Sequence, residues 1–365
     1  MLSRENLHPY QNRLIHLAAN TPHMGLLMEP GLGKTVTALT IISESEENDT
    51  LIIAPKRVAE SVWAEECKNW EHLCRIKVAK ILGTPKQRLE ALKSSSNIFI
   101  TNLENTAWLF EQPEAKRFKY LILDESSRWK DPSTKRFKTL RKHLKNFTRR
   151  LILTGTPSPQ GMADLWAQIG ILDLGQRLET SLTKFRQKYM HPTDRNRHTG
   201  VIYKWELNNG ADEQIKQCIS DICFSLRAVD YLSLPECTKV YHSIALDKDV
   251  KAKYNELRKN MVAEIGTEEI TAPTAATLTN KLLQFTSGAI YTESQEVVHI
   301  HDTKLEFLES LLEESSAPTL LFYHFKHSLQ RIIDRFPQAV ILSDDNIQQW
   351  RDGKIKLLVA HPQSG

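Results

Sequence analysis

Short apolar runs alternate with helical patterns of apolar residues from the start of the chain to about residue 170. The first twenty residues form a helical pattern whose apolar positions include Leu7, Tyr10 and Leu14. Strands that alternate with helices favour a parallel sheet covered by helices on both faces, so we predict an α/β fold. The predicted strands are Met24–Leu27, Leu51–Ala54, Lys77–Leu82, Asn97–Thr101, Tyr120–Leu123 and Leu151–Thr154.

The alternation breaks after residue 170 and resumes in the last third of the chain. Polar, charged and aromatic segments up to about residue 235 indicate an insertion with helices and a hairpin. Two helical patterns follow, Lys248–Ile265 and Ala272–Phe285, before strands and helices alternate again. We therefore predict a first domain over 1–170, an insertion and linker over 171–235, and a second α/β domain over 236–365.

The segment Met28–Thr35 has the composition of a phosphate-binding loop between a strand and a helix. Gly31 and Gly33 allow backbone N–H groups to close around phosphate oxygens. Lys34 is expected to reach the β- and γ-phosphates, and the Thr35 hydroxyl to bind Mg²⁺. ATP and Mg²⁺ are the predicted cofactors. Met28 stands where the usual pattern has its first glycine.

Two carboxylates, Asp124 and Glu125, follow the predicted strand Tyr120–Leu123. They are expected at the carboxyl edge of the sheet, where open α/β folds bind ligands. Asp124 can hold Mg²⁺ through water, and Glu125 can orient and deprotonate the attacking water. An acidic turn that merely ends a strand is the alternative.

A third strand, Leu151–Thr154, ends in hydroxyl residues at the same predicted edge. Thr154 and Thr156 are short donors that can contact Asp124 and Glu125 and relay the state of the γ-phosphate. A simple Ser/Thr turn is the alternative at this position.

Composition identifies the broad class of protein. The chain has 365 residues, 41% hydrophobic and 25% charged, which is ordinary for a globular protein of two domains. No apolar run approaches the ~20 residues that span a membrane, and the first residues lack a signal-peptide core. The expected location is therefore cytoplasmic. Five cysteines without paired spacing predict reduced thiols, and they make a zinc site improbable.

Positive charge is concentrated between Arg128 and Arg150, which contains ten lysines and arginines against one acid, Asp131. Such a surface attracts a polyanion and makes binding fall with salt. A merely solvated basic helix is the alternative. The sequence shows no arrangement for reading base edges, so binding without sequence preference is expected.

The order of these motifs resembles motifs I, II and III of superfamily-two helicases, and finer features are similar to the Swi/Snf-type branch of DNA translocases. His8-Pro9-Tyr10-Gln11 resembles the opening Arg-Pro-Tyr-Gln of that branch, and Glu29–Thr35 resembles its Glu-Met-Gly-Leu-Gly-Lys-Thr. Asp124 to Arg136 is similar to its Asp-Glu-Ala-His segment and following turn, although Ser126-Ser127 replaces Ala-His. Phe224–Arg227 with Leu234-Pro235 resembles the entry into the second lobe. The compact form is typical of phage or bacterial members, which places the chain in a bacterial or phage-infected cell.

The resemblance implies two RecA-like P-loop lobes and a role for each matching residue. Nucleotide binding is implied for Gln11, which would read the adenine edge, and for Glu29, Pro30, Gly31, Leu32, Gly33, Lys34 and Thr35. Asp124 and Glu125 would be the metal-binding acid and the hydrolytic base, and Thr154, Gly155 and Thr156 would couple ATP state to movement. Nucleic-acid backbone contacts are implied for Pro55, Lys56, Arg57, Thr101, Asn102 and, in the second lobe, Lys326.

One expected motif is absent from the sequence. Swi/Snf-type proteins carry arginine fingers in a late Gln-x-x-Gly-Arg-x-x-Arg-like stretch, whereas Leu357–Gly365 resembles only the first part of motif V. We therefore expect the second lobe to be incomplete at its carboxyl end. An arginine finger is worth about 10³–10⁵ in turnover in related NTPases, so this chain is expected to hydrolyse ATP poorly.

The sequence thus predicts an ATP-dependent motor that moves on or remodels duplex DNA. Two alternatives stay open. One is a strand-separating DNA or RNA helicase of the same superfamily. The other is a nucleic-acid-binding module that ATP gates with little turnover.

Overall fold

The fold is described by a computed structural model that covers residues 1–45, 49–159, 161–196, 199–233, 238–265, 268–314, 317–343 and 345–362. The chain divides into two compact units, Met1–Glu236 and Cys237–Gly365. The Leu234-Pro235 segment that the sequence suggests as a linker lies outside the described residues. Each unit is described separately below.

Helices and strands alternate along the first unit from residue 9 onward. Most strands are short apolar segments, and Pro9 and Pro85 each open a helix at a position where the missing N–H costs nothing. The elements are α1 (Pro9–Asn20), β1 (His23–Met28), α2 (Lys34–Ser43), β2 (Thr50–Ala54), α3 (Trp63–Asn69), β3 (Val78–Lys80), α4 (Pro85–Leu92), β4 (Ile98–Asn102), α5 (Thr106–Glu111), β5 (Tyr120–Asp124), α6 (Lys135–His143), β6 (Arg149–Thr154), α7 (Ala163–Asp173), α8 (Leu182–Tyr189), β7 (Met190–Arg195), β8 (Ile202–Leu207), α9 (Ala211–Ile219) and β9 (Cys223–Leu226).

Seven parallel strands form the central sheet in the order β3-β4-β2-β5-β6-β1-β9. Successive side chains of a strand point to opposite faces, so β5 sends Leu121 and Leu123 into one core and Ile122 into the other. Helices α1 to α3 cover the second of these faces, and α4 to α9 contribute to the first. Both faces are therefore buried, as expected for a parallel sheet.

Strand β9 extends this sheet beyond the region that the sequence predicts as the first domain. Cys223–Leu226 pairs in parallel with Gly25–Met28 of β1. The predicted hairpin of the intervening segment is present as the antiparallel pair of β7 and β8. The predicted boundaries at residues 170 and 235 stay a prediction.

The second unit contains a smaller parallel sheet and two hairpins. Its elements are α10 (Lys248–Asn260), β10 (Val262–Ile265), β11 (Glu268–Thr271), α11 (Ala275–Thr286), β12 (Ala289–Tyr291), β13 (Val297–His299), α12 (Thr303–Glu314), β14 (Thr319–Phe322), α13 (Lys326–Arg335), β15 (Ala339–Ile341), α14 (Ile347–Arg351) and β16 (Leu357–Ala360). The parallel sheet has the order β14-β16-β15, and α12 and α13 pack on it through Leu308, Ile332 and Phe336.

The predicted helix Lys248–Ile265 is wrong at its carboxyl end. Met261 adopts a left-handed backbone with φ 59° and ends α10, and Val262–Ile265 then pairs as an antiparallel strand with Glu268–Thr271. Alternating burial of Ala263 and Ile265 supports the strand, and this pattern outweighs the helical spacing seen in the sequence.

The predicted α/β class with parallel sheets is confirmed in both units. Across the described ranges, no helix combines the length and the apolar character that a membrane span requires.

Candidate functional site

The loop between β1 and α2 is closed by its own lysine. The Nζ atom of Lys34 donates to the carbonyl oxygen of Met28 at 2.8 Å, which joins the start of α2 to the end of β1. Gly31 and Gly33 have φ values of 88° and 70°, in the left-handed region that glycine adopts without steric cost. Burial lowers the pKa of Lys34, while the nearby carboxylates of Glu125 and Asp124 act in the opposite direction.

Gln11 of α1 packs against this loop and forms hydrogen bonds with it. Its Oε1 accepts from the His8 backbone N–H at 2.8 Å, and its Nε2 donates to the carbonyl oxygen of Leu32 at 3.3 Å. A Cβ at Gly33 would overlap Nε2 of Gln11, so the loop and α1 are in tight contact there. Gln11 is only 3% exposed. Its role in reading adenine stays a prediction.

Glu29 anchors the loop on its other side. The Oε2 atom of Glu29 accepts from the backbone N–H of Ala228 at 2.7 Å, and the Glu29 N–H donates to the carbonyl oxygen of Leu226 at 3.1 Å. The side chain thereby satisfies the amino end of a short 3₁₀ helix, Ala228–Asp230. Leu32 is fully buried, whereas Thr35 remains partly exposed on the first turn of α2.

Asp124 ends β5, and each of its carboxylate oxygens accepts a hydrogen bond. The indole Nε1 of Trp63 donates to Oδ2 at 2.9 Å, and the Glu125 backbone N–H donates to Oδ1 at 3.0 Å. Burial raises the pKa of Asp124 despite the opposing hydrogen bond from Trp63. A nearby cation stabilises the charged form of a desolvated carboxylate of this kind.

Glu125 has a strained backbone at the point where its side chain faces the site. Its φ of 53° and ψ of 60° are unusual for a residue that is not glycine, and such outliers persist where the surrounding structure holds them. The Oε1 atom accepts from Ser127 Oγ at 2.5 Å and from Thr154 Oγ1 at 2.9 Å. Two hydroxyl donors on one oxygen orient the carboxylate.

The turn that follows β6 contacts both the carboxylates and the phosphate loop. Thr154 lies beside Leu27 of β1, and the neighbouring Leu153 lies beside Asp124 of β5, because β6 runs between these strands. A Cβ at Gly155 would lie 3.0 Å from Pro30 Cδ, 3.3 Å from the Met28 oxygen and 3.6 Å from Lys34 Nζ. All three predicted motifs of the first half therefore meet at one edge of the sheet.

The residues present suit ATP with a magnesium ion. The described residues contain no cluster of three or more His, Cys, Asp or Glu side chains that would hold a metal by themselves. Magnesium in phosphate-transfer sites commonly binds one or two carboxylates together with substrate phosphates and water. Asp124 retains lone pairs beyond its two hydrogen bonds. The Thr35 hydroxyl lies on the first turn of α2, next to the phosphate loop.

The predicted nucleic-acid contacts are distributed over several elements. Pro55, Lys56 and Arg57 follow the carboxyl end of β2 and lead into a π-helical turn over Val58–Val62, a rare form that is frequent near functional sites. Lys56 is exposed. Lys326 is also exposed and begins α13 of the second unit.

Thr101 is less accessible than the resemblance implies. Its side chain is fully buried, and its hydroxyl donates to the carbonyl oxygen of Ile81 at 3.0 Å. Asn102 is 8% exposed, and its Nδ2 donates to Glu104 Oε2 at 2.7 Å. The Thr101 hydroxyl thus already has a partner within the protein, and its contact with a nucleic-acid phosphate stays a prediction.

The predicted basic surface is smaller than the charge count suggests. Arg150 is 5% exposed and donates to the carbonyl oxygen of Leu144 at 3.3 Å, and Arg149 donates to the carbonyl oxygen of Ala18. Arg150 therefore does not contribute to the predicted basic surface, because β6 buries it, whereas Arg149 is partly exposed. The exposed cations of α6 and the turn after it are Lys135, Lys138, Arg141, Lys142 and Lys145.

Three residues near the site had no predicted role. Trp63 donates a hydrogen bond to Asp124, and Ser126 Oγ donates at 2.7 Å to Oε1 of Gln168 on α7. Of these three residues, Gln168 could have been noticed in the sequence, because it is a polar residue within the otherwise apolar pattern Leu165–Leu172.

Comparison with known proteins was made on sequence and on fold. The SNF2-related domain family model matches residues 10–288. Putative protein p41 of Acyrthosiphon pisum secondary endosymbiont phage 1 is 35% identical over 373 residues, covering 98% of this chain and 80% of the phage protein. Helicase SWR1 of Saccharomyces cerevisiae is 29% identical over 248 residues, covering 62% of this chain and 16% of that helicase. The Sulfolobus solfataricus SWI2/SNF2 ATPase core in complex with dsDNA has the same fold at a TM-score of 0.51 and 22% identity, covering 98% of this chain and 78% of that one.

The chain therefore spans most of the phage relative and only a small part of the yeast helicase. The family match covers the phosphate loop, both carboxylates and the turn after β6. On these grounds the chain belongs to the SNF2-related family, within the Swi/Snf-like branch of superfamily two.

Proposed function

We propose that this chain is a DNA-dependent ATPase motor that couples ATP hydrolysis to movement along duplex DNA or to its remodelling. One observation carries the proposal. Lys34, Asp124, Glu125 and the Thr154–Thr156 turn lie together at the carboxyl edge of one parallel sheet, where a phosphate loop already opens a helix. Membership of a family whose members include ATPases and helicases supports it.

The proposed chemistry assigns one task to each group. Backbone N–H groups of Gly31 to Lys34 bind phosphate oxygens, and the Lys34 ammonium leaves the Met28 carbonyl to contact the β- and γ-phosphates. The Glu125 carboxylate accepts a proton from water while the water oxygen bonds to the γ-phosphorus. The bond from that phosphorus to the β–γ bridging oxygen breaks, giving ADP and phosphate. Asp124 and Thr35 would hold magnesium, which would supply positive charge to offset the negative charge of the phosphates.

The proposed partner is duplex DNA, bound without sequence preference. The exposed cations of α6 and the turn after it suit a phosphate backbone, and their number would make binding fall steeply with salt. The Sulfolobus neighbour, which shares the fold, was solved in complex with dsDNA. Backbone contacts of this kind position a protein on DNA and do not read the bases.

The test is Mg·ATP binding and steady-state hydrolysis by the 365-residue chain with and without blunt duplex DNA. Duplex-stimulated turnover that is lost in Lys34→Ala would support the motor. Turnover stimulated mainly by tailed substrates that become unwound would support the strand-separating helicase instead. Tight ATP binding that alters DNA affinity without turnover would support an ATP-gated binding module, and no ATP binding would refute all three.

A further inference from the structure

The turn that carries Glu125 is joined to the turn after β6 by a second, fully buried polar link. Ser126 Oγ donates to Gln168 Oε1 at 2.7 Å. The Gln168 Nε2 atom donates to the carbonyl oxygens of Pro157 at 2.6 Å and Asp164 at 2.9 Å. Ser126 and Gln168 are both 0% exposed. One amide side chain thus connects the carboxylate turn, the Pro157 backbone and the first turn of α7.

The Pro157 end of this link lies close to the phosphate loop. Gly155, two residues before Pro157, packs on Pro30 and on the carbonyl oxygen of Met28 that Lys34 contacts. Lys34 must leave that oxygen in order to contact a phosphate. This rearrangement would take place next to the backbone of Gly155. The position of the turn after β6 is therefore sensitive to the phosphate loop.

The first link between the same two turns passes through Glu125 itself. Thr154 Oγ1 donates to Glu125 Oε1 at 2.9 Å and accepts from the Thr156 N–H at 3.1 Å. This link weakens when the Glu125 carboxylate turns toward a water molecule and takes its proton. A link that bypasses Glu125 is needed to keep the two turns together during that step.

We propose that Ser126 and Gln168 are positioning residues that couple the Glu125 turn to the turn after β6, so that DNA-stimulated hydrolysis depends on their hydrogen bonds. This inference rests on the proposed motor function. Ser126 also stands where the commoner Asp-Glu-Ala-His segment has alanine, which cannot form this bond.

A purely structural role is the competing explanation, and it makes a different prediction. Removing one partner leaves the other buried without a hydrogen bond, whereas replacing both by apolar groups of similar size is close to neutral for stability. If the pair is only packing, the double variant Ser126→Ala with Gln168→Leu recovers both stability and activity. If the pair couples the turns, the double variant recovers the part of the stability that depends on the Ser126–Gln168 bond, but it does not recover DNA stimulation, because Pro157 has still lost its donor.

The experiment compares the two single variants, the double variant and the control Thr106→Ala. Thr106 is also fully buried and donates to the carbonyl oxygen of Leu103 at 2.8 Å, within the turn that leads into α5. The readouts are the thermal midpoint, the KM for ATP, and kcat with and without duplex DNA. We expect each single variant to lower DNA-stimulated kcat about tenfold, the scale of one hydrogen bond between neutral groups, with KM within about twofold. Thr106→Ala should lower only the thermal midpoint.

Full recovery of stimulation in the double variant, or single variants that match Thr106→Ala, would overturn the inference while leaving the motor intact. A wild-type chain without DNA-stimulated turnover would refute the proposed motor, and the coupling is then tested by hydrogen exchange with a slowly hydrolysed ATP analogue. The analogue should protect the backbone amides of residues 155–168 in the wild type and not in Gln168→Leu. Equal protection in both, or protection in neither, would overturn the coupling.

Discussion

The contact between Gly33 and Gln11 makes Gly33→Ala the most informative single substitution in the phosphate loop. Gly33 is the residue before α2 and has φ 70°, and a Cβ there would overlap the Gln11 amide. Gly210 is the residue before α9 and has φ 74°, but a Cβ there has no neighbour within 4 Å among the described atoms. Gly210→Ala therefore has the same cost of a left-handed backbone as Gly33→Ala, but its Cβ clashes with no neighbour.

The two costs can be worked out separately. A left-handed backbone costs an alanine about 1–2 kcal/mol, and this term is shared by both variants. In Gly33→Ala, Gln11 must also give up its hydrogen bonds with the His8 N–H and the Leu32 carbonyl. Each is worth about 0.5–1.5 kcal/mol, so the extra loss is about 1–3 kcal/mol. We expect Gly33→Ala to lose about 2–5 kcal/mol of unfolding free energy, against about 1–2 kcal/mol for Gly210→Ala.

Urea unfolding followed by tryptophan fluorescence measures this difference. Of the seven tryptophans, all but Trp350 lie in the first unit, so the signal reports mainly on it. Binding of a fluorescent ATP analogue should weaken strongly in Gly33→Ala and stay near wild type in Gly210→Ala.

Adding Gln11→Ala to Gly33→Ala should cost little further stability, because Gly33→Ala has already broken the hydrogen bonds of Gln11, so the two substitutions should be strongly non-additive. Equal destabilisation of Gly33→Ala and Gly210→Ala, within about 0.5 kcal/mol, would refute the tight packing of α1 against the loop.

Three further predictions concern the carboxylates and the basic helix. Glu125→Gln should keep Mg·ATP binding and lower turnover about 10²–10⁴-fold in a steady-state assay, since it removes the proton acceptor; an unchanged rate would exclude Glu125 as the base. Trp63→Phe should raise the Mg²⁺ concentration for half-maximal turnover about 10-fold or more, because Asp124 loses the donor on Oδ2. A magnesium titration that matches wild type would show that the indole only packs. Charge reversal of the three exposed α6 cations should weaken duplex binding at low salt and flatten its salt dependence, and no change would mean a merely solvated helix; the substitutions are Lys138→Glu, Arg141→Glu and Lys142→Glu.

The sheet of the first unit was accessible from sequence because most of its strands contain an apolar run bounded by polar turns. The predicted run Tyr120–Leu123, for example, is observed as Tyr120–Asp124. Strand β9 was missed, since Cys223–Leu226 contains a serine and is only partly buried at the sheet edge. Its pairing with β1 depends on contacts between distant parts of the chain, which periodicity does not report.

The site shows the same division between local and distant information. Chain order placed Lys34, Asp124 and Thr154 at one edge, because parallel strands present their carboxyl ends together. Partners such as Trp63 and Gln168 come from elements that pack across the sheet, so no spacing along the chain identifies them. Arg150 shows the converse error, as a strand buries a charge that a linear count places on the surface.

The bond between Glu29 and the Ala228 N–H joins residues 199 positions apart and has a consequence for biosynthesis. While the ribosome is still adding residues 29–226, β1 lacks its β9 partner and has at least one side open, with backbone groups that can pair with other chains. At bacterial and eukaryotic elongation rates this interval lasts about 10–40 s. The nascent chain thus acquires an anchored nucleotide loop only when β9 emerges. A stall before that point leaves a species prone to aggregation, and the number of residues between β1 and β9 sets how long the delay lasts.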